Sequence, residues 1–491
     1  MNSARPNYDD RAIAPLVFCA MFWALAAMGA GVWLAAELVF PALNFNSPWL
    51  SFGRLRTIHT NAAVFGFGGS ALMAASLYSV QRTCRATLFA PQLGLFVAAA
   101  WQVILVFGAF ALLSGVNQGK EYAELPWIAD IFVAAVWVCY AAVFFGTLAR
   151  RTIRPIYVSN WFFAAFIIVV AMLHIVNSLA VPLGWGTSIP VYAGAQDAIV
   201  QWWYGHNAVG FFLTGGFLGM MYYFLPKITG RPIWSYRISI LAFWSFTFTY
   251  IWAGPHHLHY NAVPDWVQSL GVAMSLILLA PSWGTMINGV MTVSGAWHKL
   301  KTEPALKFIA LSLAFYGLAT FEGPMMAIRS VNAISHFTEW TIGHVHSGAL
   351  GWNAFVAFGA LYYLAPVLAG RPLYSARLTN WHFGMGLAGV VLYMLAMWGA
   401  GITQGLLWLS MEGGEPRYGF MEILDAIKPY YIMRLFGGIL FFSGTALMAW
   451  NLWKTFGGAP VAVSQPQLES ESESTAELKS ASEPADARAA A

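Results

Sequence analysis

The stretch FTEWTIGHVHSGALGWNAFVAFGALYYLAP, residues 337–366, decides how this chain is read. It is apolar from end to end, with one charged side chain, Glu339, and two histidines, His344 and His346, well inside it. About 20 apolar residues cross the hydrocarbon core of a bilayer as a helix. Ionisable groups within such a helix are costly and are usually functional.

Further apolar runs lie near 13–37, 58–80, 92–113, 127–150, 157–180, 200–226, 236–254, 265–290, 305–327, 381–403 and 430–455. The composition agrees: 59% of the 491 residues are hydrophobic and 9% charged, against roughly 25% charged in soluble domains. The sequence predicts an all-α integral membrane protein of about 12 transmembrane helices. Alternating ten-residue segments, the mark of a membrane barrel, are not visible. Residues 1–12 are expected as a cytoplasmic N-terminus and 13–455 as the transmembrane domain. Residues 456–491, rich in Glu, Ser, Pro and Ala, are expected as a disordered acidic cytoplasmic tail. The first span reads as an uncleaved anchor. Most of the 25 basic residues, among them Arg82, Arg150, Arg231 and Arg371, fall on the side of the termini. The positive-inside rule makes that side cytoplasmic. A net charge of +4 gives no reason to expect nucleic acid. Cys19, Cys84 and Cys139 have no metal or disulfide spacing.

Depth singles out six of the 11 histidines. With these spans, His59, His206, His256, His257, His344 and His346 fall within roughly the outer third of the membrane, at 1.5 Å of rise per residue. Residues two apart on a helix point about 200° apart, so His344 and His346 serve opposite faces. Haem iron takes one axial histidine, or two when it only carries electrons. The tenth span can therefore ligate a haem on each side, with His59 a second ligand for one of them. Three neutral imidazoles, His206, His256 and His257, suit copper or zinc. Gly254 and Pro255 beside the His-His pair loosen the helix end and let adjacent imidazoles converge. His174, His259, His298, His336 and His382 are read first as hydrogen-bonded packing residues, with His336 a further candidate partner for a haem propionate.

Three motifs extend this reading: Trp202-Trp203-Tyr204-Gly205-His206-Asn207, Tyr250 through Tyr260 around Gly254-Pro255-His256-His257, and Trp340 through Gly348. In these motifs the chain resembles the catalytic subunit I of cbb3-type (C-family) haem–copper oxidases, over residues 12 to 455. The resemblance implies the subunit I helix arrangement, with two b-type haems and one copper ion. His59 and His346 would be axial ligands of a low-spin haem b. His344 would be the proximal ligand of a high-spin haem b. His206, His256 and His257 would hold copper. Many other haem–copper oxidases carry a tyrosine four residues after the first copper histidine; here that position is Gly210. The C family takes its tyrosine from the seventh span, where Tyr250 stands, and it would be linked to His206. Glu121 resembles a calcium ligand. Glu322 resembles a glutamate near the active site, read either as a proton carrier or as a structural hydrogen-bond partner.

Arg54, Arg56, Arg329 and Arg434 lie near the outer surface and suit propionates through bidentate pairing. Tyr222, Tyr223, Tyr316 and Thr320 are candidates for a proton path from the cytoplasm. No CxxCH stands in the sequence, so electrons are expected from partner subunits, which the resemblance identifies as membrane-anchored c-type cytochromes. Dioxygen is the expected substrate and membrane lipid the surrounding partner. Two rivals stand against this reading. A nitric oxide reductase would hold non-haem iron and want an added carboxylate, for which Glu322 is the one candidate. A non-redox twelve-helix transporter would show internal repeats and interrupted helices, and no clear repeat is evident.

Overall fold

The computed structural model describes residues 8–458, so the acidic tail from 459 onward lies outside the described residues. Among the described residues, eleven helices are long and apolar enough to cross a membrane. They are α1 (Ile13–Val39), α2 (Phe52–Cys84), α3 (Pro91–Leu113), α4 (Trp127–Ala149), α5 (Val158–Asn177), α6 (Ala195–Thr229), α8 (Asp265–Ser294), α9 (Pro304–Ala327), α10 (Glu339–Ala369), α11 (Ala376–Trp408) and α12 (Phe420–Phe456). Between α6 and α8 runs the shorter and more polar α7 (Tyr236–Ala253), which completes the expected twelve. Several helices overrun the expected bounds because their ends continue in polar residues that hydropathy alone discounts. Thus α2 begins at Phe52 rather than 58, which sets His59 two turns inside its helix, and α12 begins at Phe420 rather than 430.

Outside the helices the chain makes two small hairpins. One pairs Ala180–Gly184 with Thr187–Pro190 in antiparallel register, and the other pairs Met411–Glu412 with Glu415–Pro416. The segment before α1 is tied to the C-terminal end of α2. There Arg82 forms a bidentate pair with Asp10, and Asp9 N–H donates to Gln81. Helix α12 packs against both α11 and α1. The rings of Phe18 and Phe456 lie 4.5 Å apart, so last helix meets first.

The structure overturns one expectation: there is an internal repeat. YYFLPKITGRPIWSYRIS at 222–239 and YYLAPVLAGRPLYSARLT at 362–379 carry the same turn. Gly230 and Gly370 adopt φ of 64° and 61° and end their helices in the left-handed conformation that glycine favours. Ser235 and Ser375 then cap α7 and α11. Asn288 Nδ2 donates to Ser235 O and Ser239 Oγ; Asn451 Nδ2 donates to Ser375 O and Thr379 Oγ1. A threonine clasp recurs three times. Thr147, Thr292 and Thr455 accept from the backbone N–H of Phe89, Trp234 and Tyr374. The sequence hides the third copy because α2 ends on Arg85, at φ 50°, instead of glycine.

Three helices are also interrupted in matching places. α2, α6 and α10 each widen into π turns, over Ala62–Gly68, Ala208–Gly216 and Ser347–Ala354. Single wide turns of this kind gather at functional sites. Nearer the C-terminal ends of these helices the rings of Tyr78, Tyr223 and Tyr363 come together: Tyr78 lies 6.0 Å from Tyr223 and 6.5 Å from Tyr363. Repeats and interrupted helices therefore do not separate this fold from a transporter; the histidines do.

Candidate metal centre

His206 precedes the wide turn of α6, while His256 and His257 follow α7. The α-helix of α7 stops at Ala253, and Gly254–Leu258 continues as a tighter 3₁₀ turn. That change of pitch turns the adjacent imidazoles toward α6. One nitrogen or the other of His206, His256 and His257 comes within 4.8 Å of its fellows, with no carboxylate among them. His206 Nδ1 lies 3.2 Å from His257 Nε2. His256 Nδ1 lies 2.7 Å from Ser275 Oγ. That hydroxyl already donates to Gly271 O at 2.6 Å, so it accepts the imidazole N–H and frees His256 Nε2 for the cluster. The indole of Trp202 stacks on His257 at 4.1 Å. These contacts fix rings, which is what supporting residues around a metal do. Three convergent imidazole nitrogens without an acid fit copper better than iron.

His206 Nε2 is buried with no partner, and the ring stacks against Tyr250 at 4.9 Å. Gly210 explains how Tyr250 reaches this place. A Cβ there would lie 2.2 Å from the Tyr250 ring, so the phenol from α7 occupies the volume that a side chain on α6 would need.

On α10 the two histidines part as their spacing predicts. His346 Nδ1–H donates to Ile342 O at 2.9 Å, and His59 Nδ1–H donates to Ala27 O at 2.8 Å. Both rings thus keep Nε2 free of hydrogen bonds. The rings are parallel to within 7° and their centroids are 6.3 Å apart. Two imidazoles on one metal axis, each with a bond of roughly 2 Å, would stand about 6 Å apart, so the pair fits a bis-histidine haem. Tyr393 packs on His346 at 4.6 Å. Arg434 lies over Tyr393 and pairs with Glu339, yet its Nε is buried without a partner. That orphan donor fits a propionate.

His344 faces the other way, within electrostatic reach of all three clustered histidines. Its Nδ1–H donates to Glu322 Oε2 at 3.2 Å. Glu322 thus stands behind His344 rather than in the three-histidine cluster, which removes the carboxylate that the reductase rival needs.

The remaining candidates are scattered. Arg54 donates to Leu113 O and Arg56 pairs with Glu121 at 3.7 Å, although Arg56 stays within electrostatic reach of His59. Arg329 is committed to Asp265. His336 stacks on Phe337, and burial, then nearby His259, lowers its pKa. Glu121 has an arginine for a neighbour, and no cluster of three His, Cys, Asp or Glu forms around it among the described residues. Tyr222 groups with Ser239, Thr285 and Asn288, and Tyr316 with Ser282 and within reach of Tyr250. Thr320 donates to Tyr316 O, whereas Tyr223 belongs to the tyrosine junction with Tyr78. Sequence reading missed Ser275, Trp202, Tyr393 and Trp340. Of these, Trp340 had a readable signal, its four-residue spacing from His344.

Comparison with known proteins agrees with this geometry. Residues 11–440 match the family model for cytochrome c and quinol oxidase polypeptide I. The chain is 56% identical over 462 residues to the cbb3-type cytochrome c oxidase subunit CcoN1 of Stutzerimonas stutzeri, covering 94% of this chain and 98% of that one. This chain belongs to the cbb3-type cytochrome c oxidase subunit I family. A second member, the bacteroid cytochrome c oxidase subunit 1 homolog of Bradyrhizobium diazoefficiens, is 52% identical over 468 residues, 94% of this chain and 85% of its own. The oxidase fold extends further than sequence: a haem–copper terminal oxidase dimer solved by cryo-EM superposes with a TM-score of 0.75 at 15% identity, over 92% of this chain and 85% of the other.

Proposed function

We propose that this chain is the catalytic subunit of a terminal oxidase that reduces dioxygen to water at a high-spin haem b–copper centre, coupled to proton translocation. The observation that carries the reading is the acid-free triad His206, His256 and His257 beside His344, with the parallel pair His59 and His346 on the opposite face of α10. When bound, the iron and copper supply the electrons and the Lewis acidity that dioxygen reduction requires.

The chain's own residues do the rest. His206, His256 and His257 hold the copper, with Ser275 and Trp202 setting two of the rings. His344 would hold the high-spin haem, and His59 with His346 would hold a low-spin haem, whose chemistry there would be electron transfer. Arg434 meets a propionate. The Tyr250 hydroxyl supplies a proton and an electron, and the free His206 Nε2 beside its ring is the atom a covalent link would use. Tyr222, buried near Ser239, Thr285 and Asn288, and Tyr316, buried near Ser282, each keep a hydroxyl without a protein partner and carry protons inward from the cytoplasmic side. Electrons arrive from membrane-anchored c-type cytochrome subunits at the outer face of a bacterial cytoplasmic membrane, with both termini of this chain cytoplasmic.

An optical spectrum of the reduced protein with and without carbon monoxide, joined to metal analysis, tests the reading. Two b-type haems, one of which binds the gas, and one copper per chain are expected. Iron in the third position, or a colourless protein, overturns it.

A further inference from the structure

Glu322 is 3% exposed in an apolar helix, and its two oxygens have different partners. Oε2 accepts from His344 Nδ1 at 3.2 Å, while Oε1 accepts from the Trp340 indole Nε1–H at 2.8 Å. Ser347 Oγ also approaches Oε2, at 3.5 Å, but its single proton goes to His344 O at 2.7 Å. The indole and the imidazole are therefore the two donors that hold the carboxylate, and the shorter contact belongs to the indole.

The last torsion of a glutamate is broad and weakly restrained. A carboxylate held at one oxygen can turn; held at both, it cannot. We propose that Trp340 is a positioning residue for the His344 site: its indole N–H pins one oxygen of Glu322 so that the other stays on the His344 imidazole. This rests on the reading of His344 as a haem ligand.

The surroundings are built for this contact. Trp340 and His344 are four residues apart and so share one face of α10, the face turned to Glu322 on α9. Thr338 Oγ1 accepts Trp340 N–H and fixes the start of the helix. On α11, Gly401 makes room: a Cβ there would lie 1.9 Å from Trp340 N. Three helices thus converge on the placement of one indole. A carboxylate on the outer nitrogen of a ligating histidine fixes the ring and raises its basicity, so the tryptophan acts on the haem through Glu322 without touching it.

The experiment compares wild type, Trp340→Phe, Glu322→Gln and the double variant in the assembled, haem-loaded complex. The iron–histidine stretching band of the ferrous high-spin haem is read by resonance Raman, and its midpoint potential by redox titration. Without the indole donor, Oε1 is released and the carboxylate is free to turn away from His344. Trp340→Phe then lowers the band and raises the potential in the direction of Glu322→Gln, and the double variant shifts no further than Glu322→Gln alone, as residues acting in series do. Trp340→Leu, also without a donor, is read the same way if the phenylalanine variant does not load haem. An unchanged band and potential in the tryptophan variants, with Glu322→Gln shifted, overturns the proposal. A wild-type protein lacking an iron–histidine band overturns the haem reading instead.

Discussion

At the scale of single residues, the site depends on side chains that never touch a metal. Ser275 leaves the His256 Nε2 free by taking the proton of Nδ1. Ser275→Ala removes that acceptor, and losing a supporting partner of this kind costs about 10–100-fold in metal affinity. The expected outcome is a lowered copper-to-iron ratio after dialysis, with both haem bands kept. Gly210 is the second such residue. Gly210→Ala drives a Cβ into the Tyr250 ring, and misplacing a reacting group by about 1 Å can cost a hundredfold in rate. Oxygen consumption should fall on the order of a hundredfold while haem and copper content hold steady. The six histidines were legible because their charge-bearing rings sit in apolar runs, where few residue types are tolerated. Ser275 and Trp202 were not, since a serine or a tryptophan in a membrane helix is ordinary until its partner is known.

At the scale of elements, the repeated turn explains how helices of weak individual character stay in register. Asn288 on α8 and Asn451 on α12 each clasp the start of the preceding helix, α7 and α11, through equivalent acceptors. Replacing either by alanine leaves buried polar groups unpaired, at about 1–3 kcal/mol each. Both variants should lose thermal stability to a similar extent in a melting experiment. Turnover separates them: Asn288 stands beside Tyr222, so Asn288→Ala should also slow oxygen consumption, and Asn451→Ala should not. Hydropathy found every span, including α7, whose polar residues weaken it. It could not find the repeat, because a hydropathy window averages polarity and the repeated turn is marked by single residues such as Pro226, Gly230 and Ser235; the third copy also puts Arg85 where the others have glycine, at nearly the same φ. Nor could it find the π turns, which leave no mark on composition.

At the scale of the whole molecule, α2, α6 and α10 meet through the rings of Tyr78, Tyr223 and Tyr363, and α12 lies along α1. The contact of Phe18 with Phe456 sets the two ends of the transmembrane bundle next to each other. The packing of α12 on α1 is then continuous where the chain is not. A permuted gene, with residues 458 and 8 joined by a short flexible linker and the chain reopened at the exposed Thr302, should insert the same twelve helices and bind the same two haems, as judged by its reduced spectrum. Order of translation and order in space are separable in this protein.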